Sequence, residues 1–204
     1  GLGDVYKRQI WMVKGYTNSE WNESSVNVSY STYANSTIQN YLDNTLWNTL
    51  TQNNSTLRSI FALPSTVGYQ SSGSESLSYS NSDTSYWFGS SYTSKFDNLA
   101  SSVRSGSYLW LPSFGEVFNN TSSSYTSNTS TYTGQWGLNK TDRSFNTSNY
   151  DGTSRSVCWL RSGYSDFSSS AVQVTSSGSY FYSGVDGSHG VRPAAHLSLN
   201  QLAS

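Results

Sequence analysis

The chain has few charged residues and almost no cysteine. Its 204 residues include 11 lysines and arginines, 12 aspartates and glutamates, and one cysteine, Cys158. Charged residues make up 11% of the chain, against about 25% in an average globular protein. With a formal net charge of −1, the sequence argues against general attraction to nucleic acid or to an anionic membrane. One cysteine excludes a disulfide within the chain, and its apolar neighbours predict a buried structural thiol.

Long apolar runs and histidine clusters are also missing from the sequence. No stretch approaches the ~18 apolar residues that a membrane helix requires, so we expect no insertion into a membrane. The only histidines, His189 and His196, lie seven positions apart with no second cysteine nearby. This spacing matches neither a zinc nor a copper site. We therefore expect no metal, no cofactor and no catalytic residues, and the sequence predicts that the chain is not an enzyme.

Aromatic and small polar residues are abundant instead. Aromatic residues make up 15% of the chain, with 16 tyrosines and 7 tryptophans, while all hydrophobic residues together reach 34%. Chains with low hydrophobicity remain disordered when their net charge is also high, which is not the case here. The length suits one domain with a sizeable core. We expect a folded domain with a surface rich in Ser, Thr and Asn.

The first nine residues are expected to differ in origin from the rest of the chain. Gly1–Gln9 is similar to a translated sequencing-adapter fragment, so we expect residues 1–9 to be foreign and one domain to span residues 10–200. The true N-terminus, with any export signal, would then be missing. Foreign residues have no evolved partners, and deletion of Gly1–Gln9 is expected to leave the fold unchanged.

The clearest helix is predicted from Ser36 to Leu50. Ser36 and Gln39 match a capping box, in which each side chain bonds to the other residue's backbone N–H. Apolar and small residues follow at the spacing of one buried helical stripe: Ile38, Tyr41, Leu42, Thr45, Leu46 and Thr49.

Other segments predict short strands and long polar loops. Ile10–Val13 and Tyr108–Leu111 read as strands, and a helical turn headed by Ser113 and Glu116 follows the second. Leu57–Leu63 is predicted to begin as a helical turn and to end extended before a proline. The polar loops are expected at residues 68–81 and 119–132.

The last fifty residues alternate between apolar and polar positions, which is typical of half-buried strands. The turn Ser176–Ser179 predicts a tight hairpin between two of them. Alternation also places His196 opposite Ala195 and Leu197, so we expect His196 to be exposed.

Arginine and tryptophan within these strands predict structural roles. Arg161 and Arg192 each lie beside bulky apolar residues, where an unpaired guanidinium would be costly. We expect both to be buried and bonded to backbone carbonyls or to a carboxylate such as Glu116. Trp159, next to Arg161 in the sequence, is expected to be a structural core residue.

Three motifs carry a resemblance to a known family. The C-terminal motif runs from Trp159-Leu160-Arg161-Ser162, through A-x-x-V-x-x-S-G-S at residues 171–179, to Gly190-Val191-Arg192-Pro193-Ala194. Upstream, residues 35–42 and 109–117 are similar to the helix motif and the middle motif of the same family. The family consists of uncharacterised bacterial domains, common in gut Firmicutes and their prophages. One departure is Gly163, where the family usually has proline.

That family in turn resembles the formylglycine-generating-enzyme branch of the C-type-lectin fold. The resemblance implies a single α+β domain with short strands, one or two main helices and long polar loops. A formylglycine-generating enzyme uses copper and a partner thiol, and a chain with only Cys158 lacks the thiol pair. The E-P-N, Q-P-D and W-N-D motifs of calcium-dependent lectins are also absent.

The candidate binding residues lie in the loops and turns between Arg161 and Gly190. Tyrosine gives large contact area at low entropic cost, and Ser, Gly and Asn give adaptable hydrogen bonds, as in other binding loops. By analogy at the level of the fold, variable proteins of diversity-generating retroelements place their randomised residues in the corresponding region. The candidates are Tyr164, Asp166, Phe167, Tyr180, Tyr182, Asp186 and His189.

These residues predict a non-enzymatic recognition module of a bacterial surface or phage particle, with a glycan or protein ligand. The rival hypothesis is a structural spacer or cap in a larger surface or tail protein, in which Tyr180–Tyr182 is an ordinary strand. A degenerate enzyme is a third hypothesis. A binding module should present clustered aromatic rings on one exposed surface, whereas a spacer should scatter or bury them. The sequence carries no signal for an oligomeric state.

Overall fold

A computed structural model describes residues 7–26, 28, 30–63, 104, 106–118, 138–164 and 167–198 of the protein. In these residues strands predominate and there is one main helix, so the predicted α+β class is confirmed. The predicted polar loops at residues 68–81 and 119–132 lie outside the described residues. No helix in the described part of the chain has the length and apolar character needed to cross a membrane.

The first sheet has four strands and is organised around β9 (Ala194–Ser198). Strand β1 (Lys7–Trp11) pairs with it on one side, while β3 (Phe61–Ala62) and β4 (Leu109–Trp110) pair with it on the other. All of these pairs are antiparallel. Because β9 has partners on both edges, the C-terminal motif forms the centre of the sheet.

The prediction that His196 is exposed is wrong. His196 is only 2% exposed, and its ring packs edge-on against Trp110 at 4.7 Å between centroids. Alternation correctly separates His196 from Ala195, but both faces of β9 are covered at this point, since Ala195 is buried as well.

Part of the segment predicted to be foreign lies in strand β1. Lys7 pairs with Ser198, and Gln9 pairs with His196. Backbone groups make these ladder contacts, and a chain of almost any sequence supplies them. The pairing therefore does not test the origin of residues 1–9, and the expected tolerance to their deletion stays a prediction.

The second sheet has five strands in the order β2-β8-β5-β6-β7. They are β2 (Asn18–Glu20), β5 (Val157–Tyr164), β6 (Phe167–Thr175), β7 (Tyr180–Gly184) and β8 (Ser188–Gly190). Strands β5 and β8 are parallel, and the other pairs are antiparallel.

The predicted hairpin joins β6 to β7. Thr175 N–H donates to Ser179 O at 2.7 Å, which closes the turn. Gly178 has a φ of +80°, and a Cβ atom there would collide with the backbone carbonyl oxygen of Lys140. Both the left-handed conformation and the close approach require glycine.

The main helix begins after Ser36 and consists of α2 (Thr37–Asn40), a π-helical segment (Tyr41–Leu46) and α3 (Trp47–Thr51). The other helices in the described parts of the chain are short. They are α1 (Tyr30–Ala34), α4 (Ser55–Ser59), α5 (Phe114–Phe118) and α6 (Lys140–Arg143).

Only half of the predicted capping box at Ser36 forms. Ser36 Oγ accepts a hydrogen bond from Gln39 N at 3.2 Å. The Gln39 side chain does not reach back but donates to Leu109 O and to Asp43 Oδ1, both at 3.0 Å. The buried amide thus ties the helix to strand β4.

The buried face of the main helix also includes different residues from those predicted. Ile38, Leu42 and Leu46 are buried as expected, and Tyr41 is half-buried. Thr45 and Thr49 are exposed, while Trp47 and Leu50 pack against the core instead. A π-helical segment has i→i+5 hydrogen bonds and more residues per turn, which rotates the buried face along the helix.

Arg161 and Arg192 are buried, each 1% exposed. Arg161 Nη1 donates to Leu111 O at 2.8 Å. Arg192 donates through Nε to Met12 O and through Nη1 to Arg143 O at 2.9 Å, and its guanidinium lies 3.5 Å from the centre of the Trp11 ring. Both arginines therefore satisfy backbone carbonyls that lie outside the two sheets. The side chain of Glu116 lies outside the described residues.

Two further arginines are buried that sequence reasoning did not single out. Arg143 Nε donates to Gly178 O at 3.0 Å, and Arg155 Nε donates to Cys158 Sγ at 3.2 Å. In a chain with so little charge, arginine serves here as a multivalent hydrogen-bond donor inside the fold.

The five-stranded sheet has an apolar cluster on each face. Trp159 and Ala171 belong to the first cluster, which also contains the buried residues of the main helix. Val172 and Val174 belong to the second, together with Cys158. Burial raises the pKa of the Cys158 thiol to about 11, as expected for a structural cysteine.

Candidate functional site

A group of aromatic rings lies at one end of the second sheet, and we call it the aromatic patch: Tyr164, Phe167, Phe181 and Tyr182. Tyr164 and Tyr182 stack with their centroids 3.9 Å apart and their planes at 4°. Phe167 stacks on Tyr182 at 5.6 Å, and Phe181 does so at the same distance. These stacked contacts hold the rings in one arrangement.

Strand pairing explains why these rings meet. Tyr164 ends β5 and pairs directly with Phe167 at the start of β6. Tyr182 pairs with Val172 on the other edge of β6. The register of β5 against β6 shifts on both sides of Gly163, so glycine occupies an irregular point of the ladder.

Exposure differs strongly within the aromatic patch. Phe167 is 54% exposed and Phe181 is 55% exposed, whereas Tyr164 is only 4% exposed. Tyr182 is half-buried between them. Tyr164 is therefore a buried ring against which the others pack, and the two phenylalanines with part of Tyr182 form the accessible surface.

Two other predicted site residues have different positions. Tyr180 packs edge-on against Phe114 at 5.9 Å and Phe118 at 6.0 Å, and so belongs to the second core cluster. Asp186 is exposed in the turn between β7 and β8. This turn lies at the same end of the sheet as Phe167, since β6 and β7 are antiparallel. Asp166 lies outside the described residues.

His189 lies on the opposite face of the sheet from Tyr182. Its ring packs edge-on against Trp159 at 5.0 Å, and Nε2 is 3.1 Å from Ser183 Oγ. Burial lowers the pKa of His189, which favours the neutral ring. Trp159 is fully buried and donates through Nε1 to Ser19 O at 2.9 Å. The sheet thus separates His189 from Tyr164 and Tyr182.

Sequence reasoning missed Phe181 as a site residue. It lies between two predicted candidates, Tyr180 and Tyr182. Alternation along β7 places its Cβ on the opposite face from theirs, but its ring still contacts the Tyr182 ring at the outer edge of the sheet. A phenylalanine in a short strand would indicate an exposed site only if the strand were known to be an edge strand. Among the described strands, β7 is at the edge of its sheet.

A second candidate site is a cleft of about 320 Å³ between the main helix and the segment before β4. We call it the helix cleft. It is lined by aromatic and polar side chains that come from distant parts of the chain, including Asp43, Asn44, Trp47, Arg104, Ser107 and Tyr108. None of these residues was a candidate from the sequence, because the two segments are about sixty positions apart.

A salt bridge holds the polar wall of the helix cleft together. Arg104 Nη1 lies 3.0 Å from Asp43 Oδ2. Arg104 also donates to Ala34 O at 2.8 Å and to Asn40 Oδ1 at 2.6 Å. Burial raises the pKa of Asp43, while the nearby Ser107 hydroxyl, the Gln39 amide and the charge of Arg104 act in the opposite direction. The carboxylate is held in place by its neighbours.

Both sites have the side chains of a binding surface. They offer aromatic rings and hydrogen-bonding groups, which suit recognition of a ligand with mixed polar and apolar character. In the part of the chain that the structure describes, no three His, Cys, Asp or Glu residues are grouped as a metal site would require.

Comparison with known proteins gives one match. The family described as Domain of unknown function (DUF6273) matches residues 103–199, a span that contains the aromatic patch and strands β4 to β9 but not the main helix. No curated protein matches the chain, and no solved structure does. Just under half of this chain is therefore similar to a domain family of unknown function.

Proposed function

We propose that the chain is a non-enzymatic recognition module that binds a glycan or protein ligand through the aromatic patch. The observation that carries this proposal is the exposure of Phe167 and Phe181, each more than half exposed, in contact with Tyr182. Large exposed rings that pack against a buried ring have little conformational freedom to lose on binding.

The proposal includes a fold and a location. We propose a C-type-lectin-like domain of the formylglycine-generating-enzyme type, displayed on a bacterial surface or a phage particle. Support for the fold comes from the order of the sequence motifs and from the mixture of short strands with one main helix. The location rests on the resemblance of those motifs alone.

The structural-spacer hypothesis has one observation in its favour. Tyr164 is buried and Tyr180 packs into the core, as expected if the strands only support the fold. A spacer, however, has no need for two phenylalanines with more than half of their surface in water. The clustering of both rings around Tyr182 favours recognition over a spacer or a degenerate enzyme.

A binding screen with matched variants tests the proposed function. The purified full chain would be applied to a broad glycan array and to bacterial cells, alongside a variant carrying Phe167→Ala and Tyr182→Ala. Because truncation of even one central aromatic side chain typically costs ~2 kcal/mol or more of binding free energy, we expect the affinity of the double variant to fall at least about thirtyfold.

Tyr150→Ala provides the control for that screen. Tyr150 is also an exposed aromatic residue, at 61%, but it stacks on Tyr16 rather than in the aromatic patch. Normal binding by Tyr150→Ala and reduced binding by the double variant would support the proposal. Equal binding by all three proteins, or none by any of them, would favour the structural spacer.

A further inference from the structure

We propose that the helix cleft is a second binding site, which takes a single neutral sugar ring. This site is separate from the aromatic patch, because it is formed by the main helix and the segment before β4. Only residues of the helix cleft support this second site, which does not depend on the function proposed for the aromatic patch.

One wall of the helix cleft is aromatic and rigid. Trp47 and Tyr108 stack with their centroids 4.5 Å apart and their planes at 4°. Phe61 packs edge-on against Trp47 at 5.0 Å, and the Arg58 guanidinium lies 5.8 Å from the indole ring. Because the indole is held from several sides, a ligand would meet a wall that is already ordered. The C–H groups of a sugar ring are the apolar surface that suits such a wall.

The other wall has hydrogen-bonding groups that match hydroxyl groups. Each oxygen of the Asp43 carboxylate receives one hydrogen bond, from Gln39 or from Arg104, and each still has a lone pair for a ligand hydroxyl. Asn44 is exposed and uses one amide N–H on Asn40 O, so its second N–H can donate to a ligand. A sugar hydroxyl both donates and accepts, which satisfies both groups.

Ser107 adds a third group of the same kind. Its side chain is only 3% exposed, and Oγ makes no hydrogen bond of normal geometry, although it is close enough to lower the pKa of Asp43. A buried hydroxyl without a well-formed hydrogen bond is costly, and rotation of the Ser107 side chain towards the cleft would let its Oγ bond to a ligand hydroxyl.

The charge balance of the helix cleft favours a neutral ligand. Asp43 and Arg104 neutralise each other at 3.0 Å, and Arg104 is also tied to Ala34 and Asn40. An anionic or cationic ligand would have to compete with one partner of this ion pair. A volume of about 320 Å³ lies at the lower end of the range of about 300–1,000 Å³ for ligand pockets, which suits one ring rather than a chain.

The probes for this site are methyl glucoside, methyl galactoside and N-acetylglucosamine, with glycerol and glucuronate as controls. Glycerol has hydroxyl groups without a ring face, and glucuronate adds a negative charge. Binding to the full chain would be followed by the NMR shift of the Trp47 indole N–H during titration. We expect at least one neutral sugar to bind, and to bind more tightly than either control.

Variants at an exposed helix position keep the test independent of folding. Asn44→Ala removes one hydrogen bond to the sugar, so the dissociation constant should rise about three- to tenfold. Asn44→Trp should abolish binding by filling the cleft. Thr45→Ala is the matched control, because Thr45 is exposed on the same helix and is not part of the cleft lining.

The proposal is overturned if no neutral sugar shifts the Trp47 signal, if glycerol or glucuronate binds as tightly, or if both Asn44 variants bind like the parent. The aromatic patch is tested separately by its own variants. Sugar binding in the helix cleft should be unchanged by Phe167→Ala and Tyr182→Ala. A negative result for one site would therefore not contradict the proposal for the other.

Discussion

Tyr180 and Tyr182 lie two residues apart on the same face of β7, but their surroundings differ. Tyr180 meets Phe114 and Phe118, both almost completely buried. Tyr182 instead meets a phenylalanine that is 54% exposed, Phe167. One strand face therefore contributes to the core at one end and to an accessible surface at the other.

The surroundings of Tyr180 and Tyr182 differ because a distant segment covers only one end of the sheet. Helix α5, which contains Phe114 and Phe118, lies over the end of the sheet near Tyr180, and Arg143 packs over the Phe118 ring at 4.6 Å. Alternation of side chains predicts the face on which a residue lies but not whether another element covers that face. The four predictions below test this contrast between the covered and the accessible end.

The largest effect is expected at the covered end. Phe118→Ala should lower the free energy of unfolding by about 3–5 kcal/mol, because it leaves a cavity beneath Tyr180 and removes the ring beneath Arg143. Chemical denaturation followed by tryptophan fluorescence would measure the change. A loss below ~1 kcal/mol would show that the covered end is loosely packed and would remove the contrast.

Arg192→Met should lower the free energy of unfolding somewhat less than Phe118→Ala does. It leaves the carbonyls of Met12 and Arg143 without their donor in a buried region, so we expect a loss of about 2–4 kcal/mol. Thermal melting would measure it against Arg58→Met. Arg58 is only half-buried and donates through Nη2 to the exposed Asn48 and Asn53 and through Nε to Thr51. A variant of Arg192 that melts like the parent but loses ligand binding would assign this arginine to a binding site instead.

Alkaline pH should weaken the covered end through Cys158. Its pKa is raised by burial from 9.0 to about 11, so the folded thiol stays protonated where the unfolded thiol ionises. The stabilisation is fully present below pH 9 and is lost as the pH rises towards 11. Between pH 8 and 10 the parent should lose about 1 kcal/mol more stability than Cys158→Ala. Parallel pH profiles for the two proteins would contradict the raised pKa.

The smallest effect on stability is expected at the accessible end. Phe167→Ala should change the free energy of unfolding by no more than about 0.5 kcal/mol, because the ring is already more than half exposed. The same denaturation experiment as for Phe118→Ala gives the comparison. A large loss would mean that Phe167 supports the fold, and the aromatic patch would then lose its main argument as a binding surface.

Local elements were predictable because their causes lie within a few residues. Ser36 is followed at helical spacing by Ile38, Leu42 and Leu46, and the helix begins there. Gly178 permits a left-handed turn, and the hairpin forms around it. The α+β class follows from the sum of such signals.

The candidate site was predictable only in part. Tyr164, Phe167 and Tyr182 meet as rings, since the short connection from β5 to β6 brings the first two together. His189 does not join them, because alternation and the order of the strands place it on the opposite face. Phe181 joins them although no sequence signal marked it.

By itself the sequence determined where the main helix begins, where the hairpin between β6 and β7 turns, and that Arg161 would need partners inside the fold. Only the tertiary structure decided which partners those are. Gln39 bonds to Leu109, seventy positions away, rather than closing its own cap. His196 is buried by packing on both faces of β9, and the helix cleft lies where Arg104 meets Asp43 from a segment about sixty positions away. Each outcome depends on contacts between distant segments, which local propensity and periodicity do not encode.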